Sequence, residues 1–508
     1  MTNRFAADVL ICGAGAAGLT LAIDLARRNI TFRLIEKMPE PFHGSRGKGI
    51  QPRTQEIFED LGILDKVVAA GGEYPLMRVY SRDGTFVEKD LGERPQATPA
   101  EPYQIPLMIP QFLTESIMRE RLGELGGQVE FGCELIGFEQ DREGVTTRLS
   151  GPDGQETVRV RYLVGADGGR SFVRGVLGVD FPGKTLGVRA MVADVTLTGL
   201  DRGWWHHFND GDMQSMISIC PLAGTNLFQL QGPVPMEGEV DFSSGGLQRM
   251  IVERTGGCAI RVRSVNWASA YQMNARLAER YRVGRVFLVG DAAHIHPPTG
   301  GQGLNTSVQD SYNLGWKLAA ALGGAHDAVL DSYETERRPV AERMLGLSTR
   351  LLDASKRGEI KRGREVRQLD IGYLASPLSV ESLTQRDGLR AGDRAPDAPI
   401  MGAAGQPARL FQLFKGPHWT LLVNGLNPIV SRVGLQTHRL DDSGDIVDTF
   451  GHVREAYGLV PNESVLVRPD GYVAAILRLD PKGAARLEAY LEFYGACRMD
   501  LAFNREGA

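Results

Sequence analysis

The chain has 508 residues and a formal net charge of −5 at pH 7; 42% of its residues are hydrophobic and 23% are charged. This length is enough for two or three domains, and the composition is typical of a globular protein. The negative net charge argues against nucleic acid or an anionic membrane as a partner. No apolar run reaches the roughly 20 residues that a membrane span needs.

The five cysteines are scattered along the chain and include no C-x-x-C pair. We therefore expect neither a disulfide framework nor a thiolate metal site, and the expected location is the reducing cytoplasm. The cysteines are Cys12, Cys133, Cys220, Cys258 and Cys497.

Residues 7–36 have the pattern of a strand, a glycine-rich turn, a helix and a second strand. Residues 9–12 are an apolar run suited to a buried parallel strand, and residues 31–35 are predicted as the second strand. Gly13, Gly15 and Gly18 fit G-x-G-x-x-G, whose glycines permit a tight turn, the approach of a pyrophosphate and close helix packing. Glu36, 18 residues after Gly18, is placed to accept hydrogen bonds from a ribose. The pattern predicts a dinucleotide site for NAD or FAD; the alternative is a glycine-rich turn of any α/β protein.

The middle of the chain alternates between apolar and polar residues like an antiparallel sheet. Strands are predicted at 192–197, 216–220 and 227–230. Several aromatic residues and methionines nearby suggest a roomy cavity, although each of them alone could be an ordinary core or surface residue. These candidates are Trp204, Trp205, His206, His207, Phe208, Met213 and Met216.

The stretch GDAAHIHPPTGGQGLN, residues 290–305, follows a predicted strand at 286–289 and precedes a predicted helix from about Leu304. Its two histidines, His294 and His296, raise the possibility of a metal site, but no third ligand is evident at a suitable spacing. A ligand with a sugar-like chain and a ring that gains negative charge suits the stretch better. Asp291 would accept from hydroxyls, and the amides of Leu304 and Asn305 would face the ring.

Three motifs in this order resemble the single-component FAD-dependent aromatic hydroxylases, the p-hydroxybenzoate hydroxylase superfamily. They are the glycine motif with Glu36, the segment YLVGADGGRSFVR at 162–174, and residues 290–305. The second motif alone would also be typical of a hairpin turn. The resemblance covers about residues 5–345. It implies an α/β fold with a Rossmann-type FAD-binding domain (1–76, 101–182 and 270–390) and a mixed or antiparallel substrate-binding sheet domain (77–100 and 183–269).

The resemblance also implies which residues contact the cofactor. The glycine motif and Glu36 would hold the pyrophosphate and ribose, Arg46 would lie along FAD, and Gln111 would lie near the flavin. Asp291 would hold the ribityl chain, and Pro298, the one catalytic candidate, would direct its carbonyl towards the substrate. No metal is expected, and Arg170 and Arg174 could serve a nicotinamide phosphate or be solvated. The implied FAD contacts are Gly13, Gly15, Ala16, Ala17, Gly18, Glu36, Lys37, Arg46, Gln111, Asp167, Gly290, Asp291, Pro298, Gly301, Gly303, Leu304 and Asn305.

The activity implied by the resemblance is a monooxygenase reaction. Tightly bound FAD would take a hydride from NADPH or NADH, a transient co-substrate, and react with molecular oxygen to give a C4a-hydroperoxide. The distal oxygen would pass to a small phenolic or polycyclic, polyketide-like aromatic substrate. Two alternatives stay open: Baeyer-Villiger-type oxygen insertion, and a non-oxygenating FAD-binding protein. A homodimer is an open alternative to a monomer.

The tail, residues 391–508, begins with a proline-rich segment and then has predicted strands at 418–425 and 465–477 and a closing helix from Pro481. It resembles the thioredoxin-like α/β domain at the end of phenol hydroxylases and polyketide hydroxylases. Cys497 is the one cysteine of this tail, so thiol–disulfide exchange is not expected, and a scaffold or subunit contact is. Short amphipathic helices are predicted at 409–416 and 451–460.

Overall fold

The structure is a computed structural model that describes residues 5–495 except 82, 91, 210, 213, 258, 359–360, 382–387, 426–431 and 441–443. Met213, Cys258 and Cys497, which enter the expectations above, lie outside the described residues. The expected mixed α/β architecture is confirmed: the described residues form three 8-stranded sheets and one 3-stranded sheet, with helices packed around them.

The strands are β1 (Ala7–Cys12), β2 (Phe32–Glu36), β3 (Gly49–Ile50), β4 (Gly72–Glu73), β5 (Met77–Tyr80), β6 (Phe86–Lys89), β7 (Leu107–Met108), β8 (Val129–Phe131), β9 (Glu134–Gln140), β10 (Val145–Gly151), β11 (Gly154–Gly165), β12 (Gly183–Thr198), β13 (Trp205–Phe208), β14 (Ile217–Pro221), β15 (Phe228–Pro233), β16 (Arg261–Leu277), β17 (Arg282–Val283), β18 (Val286–Leu288), β19 (His294–Ile295), β20 (Val380–Glu381), β21 (Pro399–Gly402), β22 (Pro407–Arg409), β23 (Trp419–Asn424), β24 (Leu435–Leu440), β25 (Ile446–Val447), β26 (Glu463–Val467) and β27 (Val473–Arg478).

The α-helices are α1 (Ala16–Ala26), α2 (Pro52–Leu61), α3 (Leu64–Ala70), α4 (Gln111–Glu124), α5 (Phe172–Val176), α6 (Ser244–Thr255), α7 (Gly303–Leu322), α8 (Ala328–Ser355), α9 (Leu410–Phe414), α10 (His452–Tyr457) and α11 (Pro481–Tyr494). Single 3-10 turns occur at Gly290–Ala292, Pro298–Gly300 and Arg364–Arg367. None of the helices in the described part of the chain combines the length and the apolar character needed to cross a membrane.

The first sheet has a parallel core, in the order β17-β18-β11-β1-β2-β8. β1 pairs in parallel with both β11 and β2, and β11 pairs in parallel with β18. The strands and the helix predicted around the glycine motif and at 286–289 are confirmed. Because the carboxyl ends of β1, β11 and β18 lie side by side, the three motifs that follow these strands meet at one edge of the sheet.

The second sheet, in the order β19-β16-β12-β15-β14-β13-β5-β6, is antiparallel except for the β13–β5 pair. The three strands predicted in the middle of the chain correspond to β12, β14 and β15, although β14 and β15 each begin one residue later than predicted. Alternate residues of β12, namely Met191, Ala193, Val195 and Leu197, pack in an apolar cluster with Leu247 and Ile251 of α6. Since side chains alternate across a strand, residues such as Asp194 point to the other face.

The third sheet lies in the tail, in the order β20-β27-β26-β23-β24-β25-β21-β22. The strands predicted at 418–425 and 465–477, the closing helix and the two short helices are confirmed as β23, β26, β27, α11, α9 and α10. The sheet also takes β20, which precedes the boundary expected at 391.

A buried ionic network joins the tail to α7 and α8. Glu336 accepts hydrogen bonds from Lys317 Nζ at 2.7 Å and from Arg468 Nη1 at 2.7 Å, and Arg468 also contacts Asp470. Burial lowers the pKa of Lys317 to about 8, although Glu336 opposes that shift. Removing Glu336 or Arg468 would leave a buried charge uncompensated. The network therefore fixes the tail to α7 and α8, the two helices that follow the turn at residues 290–302.

Candidate functional site

The glycine-rich turn between β1 and α1 depends on two close backbone approaches. Gly13 has a φ of +106°, and a Cβ there would collide with the Ala166 carbonyl at the end of β11. A Cβ at Gly18 would collide with the Gly13 carbonyl. At Gly15, a Cβ would instead meet Glu115 Oε1 at an ordinary 3.8 Å, so this surface is open. The first amides of α1 therefore face a space that fits a pyrophosphate.

Two carboxylates flank this turn. Glu36 Oε2 accepts from the Ala14 amide at 3.0 Å, which brings the carboxylate to the turn, as the spacing predicts. Glu115 of α4 is buried and accepts from Gln111 Nε2 at 2.8 Å. Burial raises the pKa of Glu115 to about 7, although the bond from Gln111 and the amide of Ala16 oppose the shift. Glu115 was not found from the sequence, because a single glutamate inside a helix carries no local signal.

The turn after β18 is held by a buried carboxylate of α7. Gly290 has a φ of +60°, and a Cβ there would lie 3.2 Å from the Ala17 Cβ, so the turn packs directly on α1. Asp310 Oδ2 accepts from the Gly290 amide at 3.2 Å and lies 2.6 Å from His294 Nε2, while Oδ1 accepts from Arg337 Nε at 2.8 Å. His294 is thus bonded to a carboxylate and holds the turn. Asp310 and Arg337 were not found from the sequence.

Asn305 joins three segments at the start of α7. Its Nδ2 donates to the carbonyls of Gly49 and Gly301, each at 2.8 Å, and its Oδ1 accepts from the Gln51 amide at 2.8 Å. The side-chain amide of Asn305 therefore bonds only within the protein. The groups left to contact a flavin ring are the backbone amides of Leu304 and Asn305 at the start of the helix.

The turn before α7 carries Pro298 and Gly301. Pro298 is exposed, and its carbonyl accepts from the Gly301 amide at 3.0 Å. A carbonyl oxygen has two lone pairs, so one acceptor site stays free for a substrate hydroxyl. Gly301 has a φ of +63°, and a Cβ at Gly303 would meet nothing within 4 Å. The backbone is therefore bare at Gly303, whereas a Cβ at Gly300 would lie 3.0 Å from the Gln302 side chain.

Residues 46–47 connect the glutamine of α4 to the Asp291 turn. Gln111 Oε1 accepts from the Gly47 amide at 3.3 Å, and the Gln111 amide donates to the Gly47 carbonyl at 3.0 Å. Arg46 is exposed, with its guanidinium 5.9 Å from the centre of a Trp267 ring. Asp291 is exposed, but the protein atoms packed around its carboxyl raise its pKa, and the charges of His294 and Arg46 oppose that shift. Arg46, Gln111 and Asp291 thus belong to one region, as expected.

Asp167 bonds mainly to its own segment. Its Oδ1 accepts from Ser171 Oγ at 2.6 Å and its Oδ2 from the Val173 amide at 3.0 Å, which stabilises the start of α5. Arg174, a candidate for binding a nicotinamide phosphate, donates to the Ala292 carbonyl at 2.8 Å and so supports the Asp291 turn. Lys37, which follows β2, and Arg170, which precedes α5, are both exposed.

The polar face of the second sheet is turned towards residues 44–48. Gln229 Nε2 donates to the Ser45 carbonyl at 2.5 Å, and a Cβ at Gly44 would collide with Trp267. Pairing and alternation place ten side chains on this face: Asp194, Trp205, His207, Ser218, Cys220, Gln229, Gln231, Trp267, Ser269 and Tyr271. Of the aromatic candidates, Trp205 and His207 belong to it, whereas Phe208 packs in the apolar cluster and His206 bonds to Tyr80.

Three side chains near this face, Tyr271, His207 and His296, are partly exposed. Burial raises the pKa of Tyr271 to about 12 and lowers those of His207 and His296 to about 3, yet parts of all three side chains are accessible to solvent. All three groups are therefore neutral near pH 7.

Asp194 is the carboxylate of this face, and it is fully buried. Neither of its oxygens has a hydrogen-bond partner, although Ser45 and Gln229 are neighbours, and burial raises its pKa to about 6. Throughout the described ranges, no three or more His, Cys, Asp or Glu side chains are grouped to hold a metal ion.

Adding a methyl group should have different consequences at Gly15 and at Gly18. Gly15→Ala should fold normally but lower the affinity for FAD by about tenfold or more, because its Cβ would occupy the phosphate surface. Gly18→Ala should lose about 1–3 kcal/mol of folding free energy, because its Cβ meets backbone. Thermal unfolding and FAD titration of both variants compare the two effects. Equal FAD affinity of Gly15→Ala and the wild type would contradict the placement of the pyrophosphate.

The ionisation of Glu115 should make the affinity for FAD depend on pH. As the pH rises through about 7, Glu115 ionises beside the phosphate surface, so the affinity for FAD should fall, by about fivefold between pH 6 and 8. Glu115→Gln should remove this dependence, whereas Glu120→Gln, an exposed change on the same helix, should keep it. Fluorescence titration of the FAD-depleted protein with FAD measures this affinity at each pH. The same slope in wild type and Glu115→Gln would show that this carboxyl is not responsible.

Comparisons with known proteins agree with this geometry. Residues 6–348 match the family model of the FAD binding domain. The chain is 41% identical over 475 residues to a flavin-dependent monooxygenase of Mycobacteroides abscessus, covering 92% of this chain and 96% of the relative. It is 33% identical over 505 residues to a 12-dehydrotetracycline 5-monooxygenase/anhydrotetracycline 6-monooxygenase of Streptomyces rimosus, covering 92% and 94% of the two chains.

A solved structure shows the same fold with the cofactor bound. It is a ternary complex of aklavinone-11 hydroxylase with FAD and aklavinone, which superposes with a TM-score of 0.83 at 28% identity and covers 97% of this chain and 100% of that one. The open surface at Gly15, the carboxylate of Glu36 and the amides at the start of α7 fit FAD in this chain as well. The chain therefore belongs to the FAD-binding family of single-component aromatic hydroxylases and is an FAD-dependent aromatic monooxygenase.

Proposed function

We propose that the protein uses NADPH or NADH to hydroxylate a phenolic or polycyclic, polyketide-like aromatic compound. The observation that carries this proposal is the position of the polar sheet face, which bonds through Gln229 to Ser45, next to Arg46, whose charge reaches Asp291. We infer a substrate cleft between this face and the turn that carries Asp291 and Pro298. The names of the relatives support a large substrate, since they include a tetracycline-pathway monooxygenase and a hydroxylase bound to aklavinone.

FAD, when bound, supplies the electron transfer and the activation of oxygen. The chain's own residues hold the cofactor and shape the space beside it. The free lone pair of the Pro298 carbonyl accepts a hydrogen bond from the hydroxyl of a phenol, which raises the electron density of its ring. Neutral Tyr271, His207 and His296 wall the cleft and limit the entry of water, which matters because water in such a site diverts activated oxygen to hydrogen peroxide.

We also propose that residues 391–508 form a thioredoxin-like domain with a scaffold role. Support comes from the parallel β23–β24 pair beside the antiparallel β23–β26 and β26–β27 pairs, followed by α11. The buried contacts of Arg468 with Glu336 suit a fixed support for α8. The domain limits expected from the sequence, the choice between NADPH and NADH, the cytoplasmic location and a homodimer stay predictions.

The reaction is tested with the FAD-loaded enzyme, NADPH or NADH, and anhydrotetracycline or aklavinone as probes, because relatives bear these names. An aromatic substrate should accelerate oxidation of the reductant severalfold, and under ¹⁸O₂ the product should carry one labelled oxygen atom. A hydroxylated ring identified by NMR supports the proposal, whereas a ring-expanded ester would show oxygen insertion instead. Reductant oxidation that releases only hydrogen peroxide with every probe would contradict it.

A further inference from the structure

Lys48 and Arg362 are basic side chains near the polar face of the second sheet, and Asp194 is the carboxylate whose charge reaches Lys48. Lys48 is only 8% exposed, and its Nζ has no hydrogen-bond partner. Arg362 donates one Nη2 hydrogen bond to the Thr299 carbonyl at 2.9 Å, while its Nε is buried and unbonded. Within the described part of the chain, neither side chain forms an ion pair. An isolated buried charge is unfavourable unless an opposite charge or hydrogen-bond acceptors reach it.

The surroundings of Lys48 are mainly aromatic. Burial lowers the pKa of Lys48, and the charges of Cys220 and Asp194 oppose that shift. The Lys48 ammonium lies 4.3 Å from the centre of a Trp205 ring, and Trp205 contacts Tyr74 and His207 at ring-centre distances of 5.9 and 4.9 Å. Burial, and then the charges of Lys48 and Arg362, keep His207 uncharged, with a pKa of about 3. The aromatic faces stabilise a cation, but they do not neutralise it.

The positions of the two cations connect both sides of the FAD site. Lys48 follows Arg46 and Gly47, and a Cβ at Gly47 would lie 3.6 Å from the Leu304 side chain. Arg362 bonds to the carbonyl of the residue after Pro298. The Arg362 backbone pairs with Gly92, and Arg94, two residues further on, donates to the Tyr74 carbonyl at 2.9 Å. The Arg362 segment therefore lies close to Tyr74, whose ring packs on Trp205 beside Lys48. An anion that reached both would lie beside the Pro298 turn and against the aromatic wall.

We propose that Lys48 and Arg362 bind an anionic oxygen of the aromatic substrate, so that this enzyme selects compounds carrying an ionised phenol, enol or carboxylate. The inference rests on the function proposed above and names its substrate class. An oxygen held there as an anion satisfies both cations. Where it is a phenolate or enolate, it also donates electron density into the ring that receives oxygen.

The test is calorimetric titration of the FAD-loaded enzyme near neutral pH with three anthraquinones. Chrysazin is uncharged, rhein is chrysazin with a carboxylate, and alizarin has an acidic phenol. At least one ionised probe should bind about tenfold more tightly than chrysazin, and which one it is identifies the anionic group. Equal affinity for all three, or tighter binding of chrysazin, would overturn the proposal.

Variants separate this role from a purely structural one. Lys48→Met and Arg362→Gln should each reduce the preference for the ionised probe to within about threefold while leaving chrysazin affinity and FAD content unchanged. The matched changes Lys66→Met and Arg249→Gln, at exposed residues far from the cleft walls, should keep the preference. A similar loss of affinity for all three probes in Lys48→Met or Arg362→Gln would overturn the assignment.

Thermal unfolding provides an independent readout. Without a probe, the Lys48→Met holoenzyme should unfold at the wild-type temperature or above it, because an unpaired buried charge has been removed. A lower unfolding temperature would show that the ammonium has a stabilising partner inside the protein, and would overturn the proposal. These titrations use no reductant, so their outcome does not depend on turnover, and a failed oxygenation test leaves the binding result readable.

Discussion

The ionised carboxylate of Asp310 is the contact on which the site depends. Burial alone would raise its pKa, but His294 and Arg337 outweigh burial and lower it, so the group stays charged. It fixes the Gly290 amide, and Gly290 in turn packs on Ala17 of α1. One side chain of α7 therefore sets the distance between the Asp291 turn and the glycine-rich turn. The two turns of the FAD site are therefore held at a fixed distance by a side chain that belongs to neither turn.

The local parts of this arrangement could be predicted from the sequence, and the long-range parts could not. Gly13, Gly18 and Glu36 act within one strand–helix–strand unit, so their spacing in the sequence is enough to predict their positions at the turn. Asp310 lies in a helix whose sequence shows an apolar face, and nothing local distinguishes it from a solvated aspartate. Alternation could have separated Trp205 and His207 from their neighbours, because residues two apart on a strand share a face.

Lys48 and Arg362 illustrate the same limit in the substrate site. More than 300 residues of chain lie between them, and they meet because the turn at Pro298 and the segment after Arg46 both border the cofactor. The second sheet covers this meeting point with its polar face, while its other face is fixed by the apolar cluster under α6. The first sheet carries the cofactor site and the second sheet covers it. Lys48 and Arg362, which are far apart in the sequence, set the charge of the space between them.

The most direct test of the FAD site is the visible absorption spectrum of the purified protein, before and after NADPH is added without oxygen. We expect the spectrum of bound oxidised FAD, which bleaches on addition of NADPH once an aromatic ligand is present. A protein that stays colourless after incubation with FAD would contradict the assignment of the three turns to one cofactor site. A yellow protein that neither NADPH nor NADH reduces, with any aromatic ligand, would contradict the proposed reaction.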